Sequence, residues 1–455
     1  MTNPHILVLP YPAQGHVKPL MLLAHSLAKY GFRITFVSTE VTHKCVLNVL
    51  EGKDILGGQI HLVSIPDGAE TWEDRNVPGK LTEAMCRVMP GKLEELIRKI
   101  NESDGVDKVI GIIADQSFGW ALEVGKKIGI KLAAFLPAAA AQLVLGFSIP
   151  KLIDDRIIDN NGTPTKKQTI QLSPSMPPMS TENFVWACFP SLEMQKIIFD
   201  LMVRNNKAVA LADWLICNST YNLEPGAFSL APEILPIGPI LASDQLGNST
   251  GNFWPEDSTC LKWLDQQPPN SVIYVAFGSF TIFNQTQFQE LALGLELTNR
   301  PFLWVVRPDI TDGTKDSYPD GFSGRVTTRG KMVGWAPQQG VLSHPSVACF
   351  LSHCGWNSTM EGVSNGVPIL CWPYFADQFL NQSYICDVWK VGLRFEKDER
   401  RIITREEIKK KVEQLLSQTI FKARAMELKE VTLSSIKEGG YSCKNFKNFI
   451  EWMKV

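Results

Sequence analysis

The chain has no excess charge of either sign, no paired cysteine motif and few histidines. Lys+Arg total 45 and Asp+Glu 47 over 455 residues, a net charge of −2. That argues against a nucleic-acid binder, which carries a strongly basic face. The one dense basic run, Lys409-Lys410-Lys411, sits among Glu406, Glu407 and Glu413 and reads as a solvated helix face. The ten cysteines are scattered, with no CxxC pair. The chain opens MTNPHILVLPYP, without a basic segment followed by a long apolar one. Free thiols in a reducing, cytoplasmic setting are therefore expected. One apolar stretch, residues 132–150, is about long enough to span a membrane. Pro137 breaks it and Gln142 falls near its middle, so a buried strand, a turn and a buried helix fit better. No integral membrane segment is expected.

The usual phosphate-binding fingerprints are missing as well. No GxGxxG follows the first strand and no GxxxxGK[ST] occurs; Gly330-Lys331 lacks the glycine five residues earlier. HExxH is absent. No Asp-x-Asp pair is present to hold a divalent metal on a diphosphate. A metal-free way of handling the substrate is favoured, and no cofactor is expected.

What is present is alternation of strand and helix. HILVLPYP reads as a buried parallel strand, followed by the Gly-containing loop AQGH. A helix then carries apolar residues at Val17, Leu20, Leu23, Ala24 and Leu27. FRITFVST, IHLVSIP, VIGIIAD and LAAFLP continue the pattern. Pro, Gly, Ser and Asn then cluster, and the alternation restarts with SVIYVAFGS, FLWVVR, KMVGWA, VACFLSHC and VPILCWP. The expected architecture is α/β: two Rossmann-like, doubly wound parallel-sheet domains facing each other across a cleft. The boundaries are 1–240 for an amino-terminal domain, 241–260 for a linker and 261–437 for a carboxy-terminal domain. Residues 438–455 read as a final helix returning to the first domain. A monomer is expected.

Ligands in such sheets bind at the carboxyl ends of the strands. His16, in the loop after the first strand, is placed there, and Gly15 lets backbone approach a ligand. A loop imidazole can act as a general base near neutral pH. Asp115 ends VIGIIAD and should emerge on the same sheet edge, where it can orient His16. Capping a helix is the ordinary alternative for each. His25 lies within the apolar helix and reads as core edge.

Residues 335–378 form the densest segment: WAPQQGVLSHPSVACFLSHCGWNSTMEGVSNGVPILCWPYFADQ. Trp335 offers a flat surface for a base. Asn357-Ser358-Thr359 opens a helix, whose free N–H groups suit an anion. His353 can add a charge-assisted hydrogen bond to a diphosphate. Glu361, four residues beyond Asn357 and on the first turn of that helix, can accept from ribose hydroxyls. Asp377 and Gln378 offer a carboxylate and an amide for sugar hydroxyls. Singly, each has a plain alternative as core, cap or surface acid. A zinc site at His353-Cys354 lacks four ligands at metal spacing.

Taken whole, the 44-residue segment closely resembles the signature box of plant secondary-product UDP-glycosyltransferases, a family-1 group with the GT-B fold. QGHVKP near the start, Phe277-Gly278-Ser279 and the overall length agree with it, so the resemblance covers essentially the whole chain. It implies an inverting transfer of a sugar, usually glucose, from a UDP-sugar to a small hydrophobic acceptor. Trp335 would stack on uracil, with the Ala336 backbone at its edge. Gln338 and Glu361 would hold the ribose. His353, Gly355, Asn357 and Ser358 would hold the diphosphate, assisted by Ser279. Trp356, Asp377 and Gln378 would read the sugar; a histidine in place of Gln378 often goes with galactose. His16 would be the general base and Asp115 its orienting acid. The acceptor wall is drawn from Met85, Phe118, Phe147, Trp186, Phe189, Phe280 and Phe375, and suits a flavonoid, phenol, terpenoid or steroid. Two other functions remain open: a GT-B-like nucleotide-sugar epimerase or phosphorylase, and a non-catalytic binder of hydrophobic metabolites.

Overall fold

The computed structural model describes residues 3–50, 58–71, 75, 78–103, 108–242, 251–312 and 318–455. The chain divides into two compact units, Met1–Phe253 with Ser435–Val455, and Trp254–Ser434.

The first unit is built on a sheet of seven strands in the order β3-β2-β1-β4-β5-β8-β9. They are β1 (His5–Leu9), β2 (Arg33–Thr39), β3 (Ile60–Ile65), β4 (Val109–Asp115), β5 (Lys131–Leu136), β8 (Trp214–Cys217) and β9 (Ile234–Pro236). β6 (Thr169–Ile170) and β7 (Met179–Ser180) form a separate antiparallel pair. Every pairing within the large sheet is parallel. Parallel strands joined by helices are covered on both faces, so they read as continuous apolar runs. β1 is buried at all five positions. The chain enters at β1, builds outward to β3, then returns to place β4 on the other side of β1. β1 and β4 therefore flank the topological switch point.

The expected helix after β1 forms over Gln14–Lys29, with Val17, Leu20, Leu23, Ala24 and Leu27 all buried. His25 is also buried, its Nδ1 2.7 Å from the Met21 carbonyl oxygen. The apolar stretch after β4 resolves into β5 and the helix Ala140–Phe147. No helix among the described residues is long and apolar enough to cross a membrane. Ala139, the cap residue of the helix Ala140–Phe147, has no polar side chain to offer. Glu224 supplies the acceptors from elsewhere. Its carboxylate accepts from the Ala140 and Ala141 N–H groups at 2.9 and 3.0 Å and from Ser219 Oγ at 2.6 Å. It is fully buried, so these bonds offset its desolvation.

The carboxy-terminal helix Tyr441–Lys454 belongs to this first unit. Phe449, Ile450 and Met453 enter its core, and Lys131 Nζ donates to the Trp452 carbonyl oxygen at 2.8 Å. Gln14 anchors the other end of the unit, accepting from the Phe253 N–H at 2.7 Å and donating to the Gly251 carbonyl oxygen at 3.1 Å. The division thus falls between Phe253 and Trp254, inside the stretch expected as a linker; residues 243–250 of that stretch lie outside the described residues.

The second unit has six parallel strands in the order β12-β11-β10-β13-β14-β15. They are β10 (Val272–Ala276), β11 (Phe302–Val305), β12 (Gly330–Val333), β13 (Val347–Ser352), β14 (Ile369–Cys371) and β15 (Gly392–Arg394). Side chains along β10 alternate between two layers. Ile273 and Val275 enter one core cluster, and Val272, Tyr274 and Ala276 the other, as the period of two requires. The switch point here lies between β10 and β13. In the helix Arg405–Ser417, Lys409 and Lys410 pair with Glu413 and Glu407 on the exposed side. Lys411 departs from the solvated-face expectation: it is buried and lies 3.3 Å from Glu396 and 3.5 Å from Glu407.

Glu224→Ala leaves two buried N–H groups without acceptors and should cost about 2–4 kcal/mol. Urea unfolding should show this as a lower midpoint, with Glu224→Gln less affected because one acceptor oxygen remains.

Candidate active site

In the first unit, His16 is the third residue of the helix Gln14–Lys29. This corrects its expected place in a loop. Ala13 is extended and its carbonyl oxygen accepts from the His16 and Val17 N–H groups at 2.9 Å each. The helix therefore starts before the glycine rather than after it. Asp115 is the last residue of β4, which pairs with β1. The switch point brings the two side chains together, with His16 Nδ1 2.7 Å from Asp115 Oδ2. Asp115 is completely buried, while the His16 side chain is 30% exposed. The second carboxylate oxygen accepts from the Ser117 N–H at 2.9 Å. A carboxylate at Nδ1 places the proton there and leaves the lone pair on Nε2. Tyr11, not anticipated from the sequence, packs its ring 5.3 Å from His16 and 5.6 Å from Phe118. Its hydroxyl lies 3.3 Å from Thr82 Oγ1, and burial raises its pKa above the usual value. The one available signal was its position just past the end of the first strand.

In the second unit, two loops leave the sheet beside the β10/β13 switch point. Phe277-Gly278-Ser279 follows β10; His353-Cys354-Gly355 follows β13 and leads into the helix Trp356–Ser364. The His353 imidazole is wedged between two glycines. A Cβ at Gly278 would fall 2.5 Å from its Nε2, and one at Gly355 2.4 Å. Gly278 also has a φ of +64°, which disfavours any side chain. The imidazole is pushed down to about 4, by burial first and by the Arg307 charge second. It is therefore neutral near pH 7. The bond expected of it toward a diphosphate would then come from a neutral N–H, with the charge on the acceptor side, and the fixed positive charge beside it is Arg307.

Gln338, Ser358 and Glu361 converge. Gln338 Nε2 donates to Glu361 Oε2 at 2.6 Å and to Ser358 Oγ at 2.9 Å. Tyr274, buried on β10, donates to Gln338 Oε1 at 3.1 Å. The helix begins at Trp356, so Glu361 stands on its second turn, one turn further along than expected. Asn357 lies on the first turn. Asp377 and Gln378 follow β14. Asn381, just past the end of the segment, ties this region together: its Nδ2 donates to Asp377 Oδ2 at 2.8 Å and to the Cys354 carbonyl oxygen at 2.9 Å. Cys354 and Ala376 are both left-handed, with φ of +66° and +55°. Such non-glycine residues cost on the order of 1–3 kcal/mol each and concentrate at functional sites.

Two expected sugar readers are less available than the sequence suggests. Trp356 is only 3% exposed, its ring 6.3 Å from that of Trp389; its large apolar surface takes it into the core. The amide oxygen of Gln378 accepts from the Tyr374 and Phe375 N–H groups at 2.7 and 3.1 Å, which leaves its amide nitrogen for a sugar. Trp335 is half-buried, and the buried Ala336 follows it. Trp254, not anticipated from the sequence, stacks on Trp335 with centroids 4.8 Å apart and planes 28° apart.

The acceptor candidates separate by burial. Trp186 is fully buried, packs on Phe184 and Phe199 and donates its indole N–H to the Gly162 carbonyl oxygen at 2.7 Å. It is a core residue, which corrects its place in the wall. Met85 and Phe118 are also enclosed, Phe118 against Trp120; Phe147 and Phe189 are half-buried. In the second unit Phe280 is exposed and meets half-buried Phe375 edge to face at 6.0 Å. Among the described residues no three His, Cys, Asp or Glu side chains are grouped to hold a metal.

A family model described as UDP-glucoronosyl and UDP-glucosyl transferase matches residues 254–436. UDP-glycosyltransferase 83A1 of Arabidopsis thaliana is 51% identical, over 100% of this chain and 97% of its own length. This chain belongs to the plant UDP-glycosyltransferases. Linamarin synthase 1 of Manihot esculenta is 33% identical over 98% of this chain and 96% of its own. The structure of Phytolacca americana UGT2 complexed with UDP-2fluoro-glucose and pterostilbene superposes with a TM-score of 0.82 at 27% identity, covering 99% of each chain. The enzyme is thus a glycosyltransferase of the GT-B fold, and the two switch-point sites belong to its two Rossmann-like units.

Two predictions concern His353. Gly355→Ala forces the imidazole aside, so affinity for UDP should fall about tenfold with the fold intact, as read by titration calorimetry and a thermal melt. In folded protein His353 takes up its proton only near pH 4, whereas in the unfolded chain it does so near pH ~6.5. The unfolded state binds the proton first, so stability is lost as pH falls between those values. His25, also lowered by burial, adds to the loss. His353→Gln should lose less stability than the native enzyme between about pH 7 and about pH 4.5 in melts across that range.

Proposed function

We propose that this enzyme transfers glucose from UDP-glucose to a hydroxyl of a small, largely apolar metabolite, with inversion at the anomeric carbon. The observation that carries this reading is the 2.7 Å bond between His16 Nδ1 and the buried carboxylate of Asp115. It leaves Nε2 as the basic nitrogen at the carboxyl edge of a parallel sheet.

In the mechanism, Nε2 of His16 removes the proton of the acceptor hydroxyl as its oxygen attacks the anomeric carbon. The bond from that carbon to the diphosphate breaks, and its electron pair leaves with UDP. An α-linked donor thereby gives a β-glucoside. Asp115 stabilises the imidazolium that forms. The transition state is oxocarbenium-like. Negative charge grows on the diphosphate and is met by the N–H groups opening the helix at Trp356, with Asn357 and Ser358, by the neutral N–H of His353, and by the loop at Ser279.

The other donor roles follow the same chemistry. Trp335 stacks on uracil and the Ala336 backbone meets its edge. Glu361 accepts from the ribose hydroxyls while Gln338 holds it in place. Asp377 and the amide nitrogen of Gln378 take the sugar hydroxyls. The first unit carries the acceptor, with Tyr11 next to the base and the buried Phe118 packed behind Tyr11. None of the ten cysteines is joined in a disulfide, which suits a cytoplasmic enzyme. A flat, apolar aglycone matches the aromatic character of this region, and the Phytolacca americana relative bound to pterostilbene supports that class.

His16→Ala should bind UDP as the native enzyme does and lose about 10²–10⁴ in turnover. Asp115→Asn should also lose turnover with little change in acceptor KM. An acceptor panel with UDP-glucose, read by product mass, tests the whole reading. Near-normal turnover of the His16 variant on an alcohol acceptor would remove the base; UDP release independent of any acceptor would remove the transfer.

A further inference from the structure

We infer that Arg307 and Trp254 are positioning residues of the donor site: with Trp335 they form a guanidinium–indole–indole stack that sets the base platform and ties it to the loop after β10. The inference rests on the reading that Trp335 receives uracil.

Arg307 stands just past the end of β11 and is 2% exposed. Burying a guanidinium is costly unless its charge and its donors are met. One Nη donates to the Ser279 carbonyl oxygen and the other to the Thr281 carbonyl oxygen, the latter at 2.6 Å. The planar fork thus spans the loop that follows β10. The carboxylate it pairs with among the described residues is Asp309, 3.7 Å away and 63% exposed, which is too distant and too solvated to balance a buried cation. The guanidinium carbon lies over the Trp254 ring, 5.8 Å from its centroid. Trp254 in turn stacks on Trp335.

The sequence of contacts is therefore loop, guanidinium, indole, indole. If uracil takes one face of Trp335, Trp254 occupies the other and stops the platform from tilting. The cation at the far end of the stack is held by the same loop that carries Ser279. Its field also reaches His353 and, after burial, lowers the proton affinity of that imidazole. A buried cation without a close carboxylate, next to a neutral imidazole, is the arrangement a bound diphosphate would complete. Lysine cannot reproduce it, because an ammonium lacks the flat face and the two-pronged donor geometry.

The test compares Arg307→Lys, Arg307→Met and Trp254→Leu with the native enzyme. Thermal melts check the fold, calorimetry gives UDP and uridine affinities, and kinetics give KM for UDP-glucose, KM for the acceptor and kcat. Folded Arg307→Lys should bind UDP about ten- to hundredfold more weakly and lose less for uridine. Its KM for UDP-glucose should rise in step while acceptor KM stays within about twofold. Trp254→Leu should weaken UDP and uridine by the same factor, since it acts through the base. Trp254 is only half-buried, so this variant decides the matter if both Arg307 variants unfold. UDP affinity within about twofold of native in the folded variants would overturn the inference. A native enzyme that does not bind UDP would overturn the donor-site reading, and this inference with it.

Discussion

A parallel sheet that the chain enters at its centre must at some point turn back and cross to the other side of its first strand. At that crossing the two flanking strands end side by side while the helices that follow them leave for opposite faces, so the carboxyl edge stays open there. Both units of this enzyme are built around such a crossing, at β1/β4 in one and β10/β13 in the other. The groups argued to move the proton and to meet the diphosphate depend on it. His16 and Asp115 are 99 positions apart in the chain, and only the pairing of β4 with β1 makes them neighbours. His353 meets Gly278 for the same reason, because β13 pairs with β10.

The two sites are electrostatic opposites. One is organised by a buried carboxylate, Asp115, whose oxygens are spent on an imidazole and a backbone N–H. The other is organised by a buried guanidinium, Arg307, spent on two carbonyl oxygens. In the mechanism we propose, a proton is accepted at the first and negative charge grows at the second, and each buried charge has the sign that task requires. Backbone strain gathers at the second site. Cys354 and Ala376 are left-handed without being glycine, and Asn381 bonds across the region they bound. Turning the backbone sharply past the ends of β13 and β14 is what directs the helix at Trp356 and the Asp377 carboxylate.

Much of this was legible in advance because it is local. Apolar runs of strand length, the helical spacing after β1 and the small residues ending β10 and β13 carry their meaning within a few positions. The donor segment was legible for a different reason: its resemblance to a known box bundles residues whose separate meanings are weak. What failed were distinctions that require knowing the neighbours. Trp186 and Trp356 are indistinguishable from binding tryptophans until their packing partners are seen. Nothing local to His353 shows that its proton affinity is lowered, because burial and the nearby Arg307 set it. Tyr274, Trp254 and Asn381 carry no local signal at all, since their roles consist of bonds or stacking to residues far away or outside the segment.

The sequence by itself determined the α/β alternation, two sheets, a candidate base with its acid, and the residues of the donor segment. These follow from periodicity, from side-chain chemistry and from one long motif. The tertiary structure decided which of those residues meet, where the first helix begins, which aromatic rings are spent on the core and what charge His353 carries. The physical reason is that hydrophobic spacing acts over a few residues along the chain, whereas burial, ionisation and hydrogen-bond partnership are set by groups that only the fold brings within a few ångströms.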